Sequence, residues 1–209
     1  PGDFSKGIKA DALEMELIYP RTQVLGFDLA GAIGAVGVWG EAAVFFPEKV
    51  KTVIDLTNLG KPNQELPIFS DSYIKYLVGM DYTFKNGLYL NNQYAHGFPQ
   101  ERELKKLEDY TALYPAGAGG ELEDYFILSL EYPTKDGRFK FPIACCLEVA
   151  DFSNPKNNYA VVLSSGLIYY PATNTEITLT WQLIEGCATT TFGQFKDRDQ
   201  LSLKIKYSF

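Results

Sequence analysis

Long apolar runs are missing from this 209-residue chain. A helix needs about 20 mostly apolar residues in a row to cross a bilayer, so helical membrane spans are excluded. Basic runs are missing too, and the formal charge is −7. Nucleic acid calls for a concentrated positive surface, so no nucleic-acid partner is expected. Cysteine is scarce: Cys145, Cys146 and Cys187 make an odd set with no Cys-x-x-Cys or Cys-x-x-Cys-His spacing. Zinc, iron–sulfur and c-type haem sites thus have no ligand pattern, and neither a metal nor another cofactor is expected. The three thiols read as small apolar strand residues. Histidine occurs once, at His96, and Gly-x-Ser-x-Gly is absent. Ser72 shares the parity of His96 but lies several residues past the position opposite it. A nucleophile–base pair is therefore not apparent, and the chain is not expected to be an enzyme. His96 reads instead as an interface histidine beside aromatic residues.

The first residues, Pro1-Gly-Asp-Phe-Ser, lack both the basic start and the apolar stretch of a leader peptide, and no initiator Met is present. A removed leader and a longer parent protein, with further strands before Pro1, both stay open.

What the chain has is alternation. In Gln200–Phe209 the odd positions Leu201, Leu203, Ile205, Tyr207 and Phe209 are apolar, and Ser202, Lys204, Lys206 and Ser208 are polar. A period of two puts the two sets on opposite faces of one strand. The same pattern runs through Ala10–Tyr19, Gln23–Ile33, Gly37–Phe46, Ser72–Phe84, Gly87–Gly97, Asp124–Tyr132, Phe139–Asp151, Tyr159–Tyr170 and Glu176–Glu185. The fold expected is all-β: a single domain over residues 1–209, an antiparallel up-and-down barrel of about ten strands. Pro142 interrupts one segment and is expected at a bulge or on an unpaired edge, because it cannot donate to a ladder.

Connections differ in length. Gly34–Val36, Lys85–Gly87, Thr134–Gly137 and Ala172–Thr175 have the Gly, Asn and Asp content of tight hairpins. Residues 47–71, 98–120, 152–158 and 189–198 are longer, with a helical turn or two expected over Gln100–Tyr110 and a flexible Gly/Ala stretch over 116–120. Short turns at one end and long loops at the other are the asymmetry of outer-membrane barrels, against the mild departure of the short Pro20–Thr22 link.

Charge follows the alternation. Glu14, Glu16, Asp28, Glu41, Lys75, Asp81, Glu131, Lys140, Glu148, Lys204 and Lys206 share one parity, taken as the inward one. A Lys or Arg on the lipid face at mid-bilayer costs roughly 2–4 kcal/mol, so this segregation suits an outer surface in contact with lipid. Tyr and Phe gather at strand ends, as interface girdles do. The inward charges suit either a cation-favouring lumen or a salt-bridged plug in a narrow barrel. A soluble barrel or sandwich also alternates, with its apolar set facing in.

The closing Leu-Ser-Leu-Lys-Ile-Lys-Tyr-Ser-Phe and the hairpin Lys75–Leu90 resemble bacterial outer-membrane β-barrel proteins of the porin type. The resemblance implies the outer membrane of a Gram-negative bacterium, with membrane lipids and the barrel-assembly machinery as partners. Ile205, Tyr207 and Phe209 match the apolar positions of the assembly signal, although the upstream glycine often found there is absent from Asp199–Ser202. It implies periplasmic termini and extracellular long loops. The function it implies is passive passage of small solutes through a porin-like channel, alone, as a homo-oligomer or with partner proteins. The alternative is a scaffold subunit of an outer-membrane complex without an open pore. A third reading is an outer-membrane lipid-modifying enzyme.

Overall fold

A computed structural model describes residues 21–49, 51–54, 64–67, 72–98, 101 and 122–209. The segment Ala10–Tyr19, the Gln100–Tyr110 turn (apart from Glu101), the 116–120 stretch, and Glu14 and Glu16 lie outside these residues.

The described residues form eleven strands: β1 (Thr22–Ile33), β2 (Val36–Pro47), β3 (Lys51–Ile54), β4 (Gln64–Pro67), β5 (Tyr73–Thr83), β6 (Tyr89–His96), β7 (Asp124–Pro133), β8 (Phe139–Val149), β9 (Tyr159–Ala172), β10 (Thr175–Gly186) and β11 (Gln200–Tyr207). Nine of them form one antiparallel sheet in the order β1-β2-β5-β6-β7-β8-β9-β10-β11. Each strand pairs with the next one along the chain, apart from β3 and β4. Those two make a separate hairpin inside the long 47–71 connection, where the sequence led us to expect only a loop. The other deviations are small: β6 is shorter than its alternating segment, and β11 ends at Tyr207, leaving Phe209 beyond the ladder.

All the short links lie at one end of the sheet and all the long ones at the other. The turn chemistry accounts for the short end. Gly34, Gly87 and Gly137 have φ of 65°, 86° and 68°, a region costly for residues with a Cβ. In the Thr134–Gly137 turn, Asp136 accepts hydrogen bonds from the Thr134 hydroxyl and the Arg138 amide. The Thr134 bond chiefly holds the Asp136 carboxyl below its usual range.

Register fixes the faces. Asp28 lies opposite Glu41, Glu41 opposite Leu77, Leu77 opposite Ala95, Ala95 opposite Tyr125, Tyr125 opposite Glu148, and Glu148 opposite Ala160. Directly paired residues share a face, so this row marks one side of the sheet, the inner face. On β5 the inner residues Tyr73 and Lys75 are buried, whereas the outer Ile74, Tyr76, Val78 and Met80 are exposed. The polar parity is thus the covered one. A soluble sheet with one solvated face has the opposite arrangement.

Two close approaches tighten the inner face. Trp39 lies flat across Gly79, where any Cβ would collide with the indole, and a Cβ on Gly37 would meet the Asp81 carboxylate at 2.5 Å. Pro142 is a correction: it sits at neither a bulge nor an edge, but within β8, between β7 and β9. The β8–β9 ladder keeps its register from Lys140 to Ile143 but skips the two positions between them. Gly166 faces it on β9, where an added Cβ would press on the Leu179 carbonyl at 3.0 Å and touch the Pro142 ring at 3.4 Å. One lost bond accommodates the ring, at no cost in alternation.

Candidate functional site

The inner face of β1, β2, β5 and β6 bounds a cavity of about 740 Å³, lined among others by Gly26, Asp28, Glu41, Lys75, Gln93 and Ala95. Asp28 and Glu41 are direct register partners, so two carboxylates stand side by side on its wall. Lys75 is 8% exposed. Its ammonium donates to the carbonyls of Phe98 and Glu101 and stands 5.3 Å from the Phe45 ring centroid. Burial of an ammonium is tolerated when its protons are satisfied, and carbonyl oxygens and a ring face satisfy this one.

Towards the short-turn end the inner face carries a polar ladder. Gln93 donates to Asn91, Asn91 to the Tyr89 hydroxyl, and Tyr89 to Asp81 at 3.2 Å. Lys140 pairs with Glu131 at 3.0 Å. The lysine is thus answered by the adjacent strand, and not by the acids of β1 and β2 across the sheet. Lys204 and Lys206 lie opposite Thr178 and Glu176, on the inner face. Of the inner charges expected from parity, Asp28, Glu41 and Lys75 meet in the cavity. Asp81, Glu131, Lys140, Lys204 and Lys206 are spread along the remaining strands. Ile205 and Tyr207 point outward from β11, and Phe209 is fully exposed.

At the long-loop end the face is covered. Glu148 is 0% exposed. Its two oxygens accept the backbone N–H groups of Thr191 (2.7 Å) and Phe192 (2.8 Å), tying the β10–β11 connection down. Phe192 then packs edge-on against Tyr125 and Phe98, whose rings also meet edge-on. Tyr125, fully buried, donates to the carboxylates of Glu101 and Glu123. Three carboxylates therefore crowd one hydroxyl. Burial raises Glu101 and, more strongly, Glu123, which is pushed up to about 8; a hydrogen bond and repulsion from Glu148 add to that. Burial, with the neighbouring Glu148 side chain, thus favours the protonated form of Glu123 at neutral pH.

A second polar group lies on the outer face at the same end. His96 and Asp124 are register partners, 2.9 Å apart between Nδ1 and Oδ1. The Tyr94 hydroxyl donates to the same oxygen at 2.5 Å, and Tyr76 stacks on the imidazole with centroids 5.2 Å apart. Ser72 lines the same 630 Å³ pocket as His96 and Asp124. The imidazole nevertheless bonds Asp124, while Tyr76, four residues from Ser72, occupies the position across from it. His96 thus bonds the Asp124 carboxylate and stacks on the Tyr76 ring.

Sequence reading missed Glu101, Glu123 and Asp124. The first two lie on connections without periodicity, where no parity argument applies, and Asp124 is the first residue of its strand. The only available signal was the spacing Glu123-Asp124-Tyr125, which sets polar groups on both faces at a strand entrance. Comparison with family models, with curated proteins and with solved structures finds no match. The functional reading accordingly rests on geometry. Among the described residues no group of three or more His, Cys, Asp or Glu side chains is arranged to hold a metal ion.

Proposed function

We propose that the chain is a β-barrel of the bacterial outer membrane, akin to porins, that gives small solutes a passive route across. One observation carries the membrane part: the apolar face of the sheet is the exposed one. On β5, Val78 is 51% exposed and Met80 45%, while Lys75 on the other face of the same strand, and Glu148 on β8, are buried. In the nine-stranded sheet the outer positions carry charge only at Asp124 and Glu185, both at the long-loop end. The rest of that surface is the apolar band a bilayer requires. Aromatic residues mark its two margins, Phe46, Tyr76 and Tyr159 at one end and Tyr82, Tyr132, Tyr169 and Tyr207 at the other, where aromatic girdles sit.

The solute route is supported by the 740 Å³ cavity with its Asp28–Glu41 wall, a lining that favours cations. No catalytic role is part of this reading. The second reading, a closed barrel serving as a scaffold, is favoured by the Phe98–Tyr125–Phe192 cover over the inner face. Conductance of the purified protein in planar bilayers separates the two. Discrete steps selective for cations are expected of the channel; silence over a range of voltage and pH, with the protein demonstrably inserted, would leave the scaffold.

A further inference from the structure

The connection from β10 to β11 is closed on itself. The Thr190 amide and hydroxyl both donate to the Cys187 carbonyl, and the Gly193 amide donates to the Thr190 hydroxyl. The amides of Phe195, Lys196 and Arg198 donate to the carbonyls of Phe192, Gly193 and Phe195 in turn. Gly193 sits so close to the Cys187 carbonyl that a Cβ there would collide with it. Thr190 and Gly193 are buried, whereas residues 194–199 are exposed. This is a stiff segment with a covered underside.

Its two ends lie at positive φ, Gly186 at 147° and Asp197 at 66°, and Asp197 is the one residue with a Cβ in that region among the described residues. Near the first end, Cys187 and Thr189 donate to the Tyr159 and Asn157 carbonyls. Beyond it the ties to the sheet converge on two neighbouring residues. The Thr191 and Phe192 amides donate to Glu148, the Thr191 side chain bonds Glu123, and the Phe192 ring rests on Phe98 and Tyr125. A stiff segment held at its middle and turning at element-terminal residues opens as one piece.

We propose that residues 187–197 are a hinged flap over the long-loop end of the inner face, latched by Glu148 and opened by a second negative charge beneath it. Glu123 supplies that charge. It meets Glu148 from β8, Tyr125 from β7, Glu101 from the β6–β7 connection and Thr191 from the flap itself. Lys75 of β5 is engaged nearby with the Phe98 and Glu101 carbonyls. Burial, then Glu148, pushes Glu123 up to about 8 from 4.5, so closure is strongest below about pH 4.5 and is lost as pH rises through about 8. Once Glu123 ionises, two carboxylates repel out of water, and lifting the flap hydrates both. The flap's role as a gate rests on the channel reading above; its hinge does not.

Hydrogen exchange of the full chain in detergent micelles tests it, each rate being divided by that of an unstructured peptide at the same pH. At pH 6 the Thr191, Phe192 and Gly193 amides are expected to share one protection factor, about tenfold or more below that of the β8–β9–β10 ladder. At pH 9 the shared factor should fall by about tenfold or more, and by more than the ladder's, while Glu123→Gln abolishes the fall. Glu148→Gln should lower all three amides together at pH 6. Three unrelated protection factors, or three equal to the ladder's, overturn the hinged unit in the unsubstituted protein itself. A fall that survives in Glu123→Gln overturns the trigger. In planar bilayers, conductance should be greater at pH 9 than at pH 6. Silence at both, with exchange as expected, sinks the channel reading and leaves the flap standing.

Discussion

Glu148 ties a connection to the sheet. Its carboxylate is out of water, and two amides of the β10–β11 connection depend on it. A hydrogen bond to a charged group contributes about 1.5–3 kcal/mol. Glu148→Ala should therefore release Phe192 from Tyr125 and Phe98, and limited proteolysis between Thr189 and Arg198 should speed up at least tenfold. Glu123 beside it makes the covering pH-dependent. Its folded pKa is raised to about 8 from an ordinary 4.5, so the folded state binds the proton more tightly. That stability is fully present below about pH 4.5 and is lost as pH rises through about 8. Thermal unfolding should thus occur at lower temperature at pH 9 than at pH 6, and Glu123→Gln should remove most of the difference. Gly79→Val tests the Trp39 contact: overpacking typically costs about 1–3 kcal/mol, to be read as a lower temperature for the heat-induced gel shift.

At the scale of the element, strand positions were legible because alternation and turn chemistry agree. Gly34, Gly87 and Gly137 each stand at a junction between alternating runs, and each adopts the positive φ expected of a turn glycine. Pro142 was legible as a local cost, but not in its setting, because the Gly166 that faces it, tight against the Leu179 carbonyl, is on another strand. Gly166→Val should consequently destabilise the sheet more than the same change at Gly31, which has nothing within 4 Å of a Cβ. The β3–β4 hairpin was missed: four-residue strands are too short for period two to stand out. Glu101 and Glu123 escaped for a related reason. Glu101 is brought to Tyr125 by packing of a connection, which leaves no trace in spacing, and Glu123 shows only as an acid two residues before it.

At the scale of the whole molecule, the sequence left one ambiguity untouched. Alternation is symmetric between a barrel with its apolar side in and one with its apolar side out. In the sheet the covered side is the polar one: Lys75, Tyr125 and Glu148 are covered while Met80, Phe126 and Ile143 are not. The proposed apolar belt and the proposed membrane reading rest on it. The chain carries its own probes of this claim. Trp39 lies on the inner face across Gly79, and Trp181 on the outer face, 46% exposed. The most direct measurement is fluorescence quenching by lipids brominated along their acyl chains, in vesicles containing Trp39→Phe or Trp181→Phe, each with one tryptophan left. Strong quenching of Trp181 and little of Trp39 is the expected result. A Trp181 that brominated lipid leaves bright, but aqueous acrylamide quenches freely, would contradict the account.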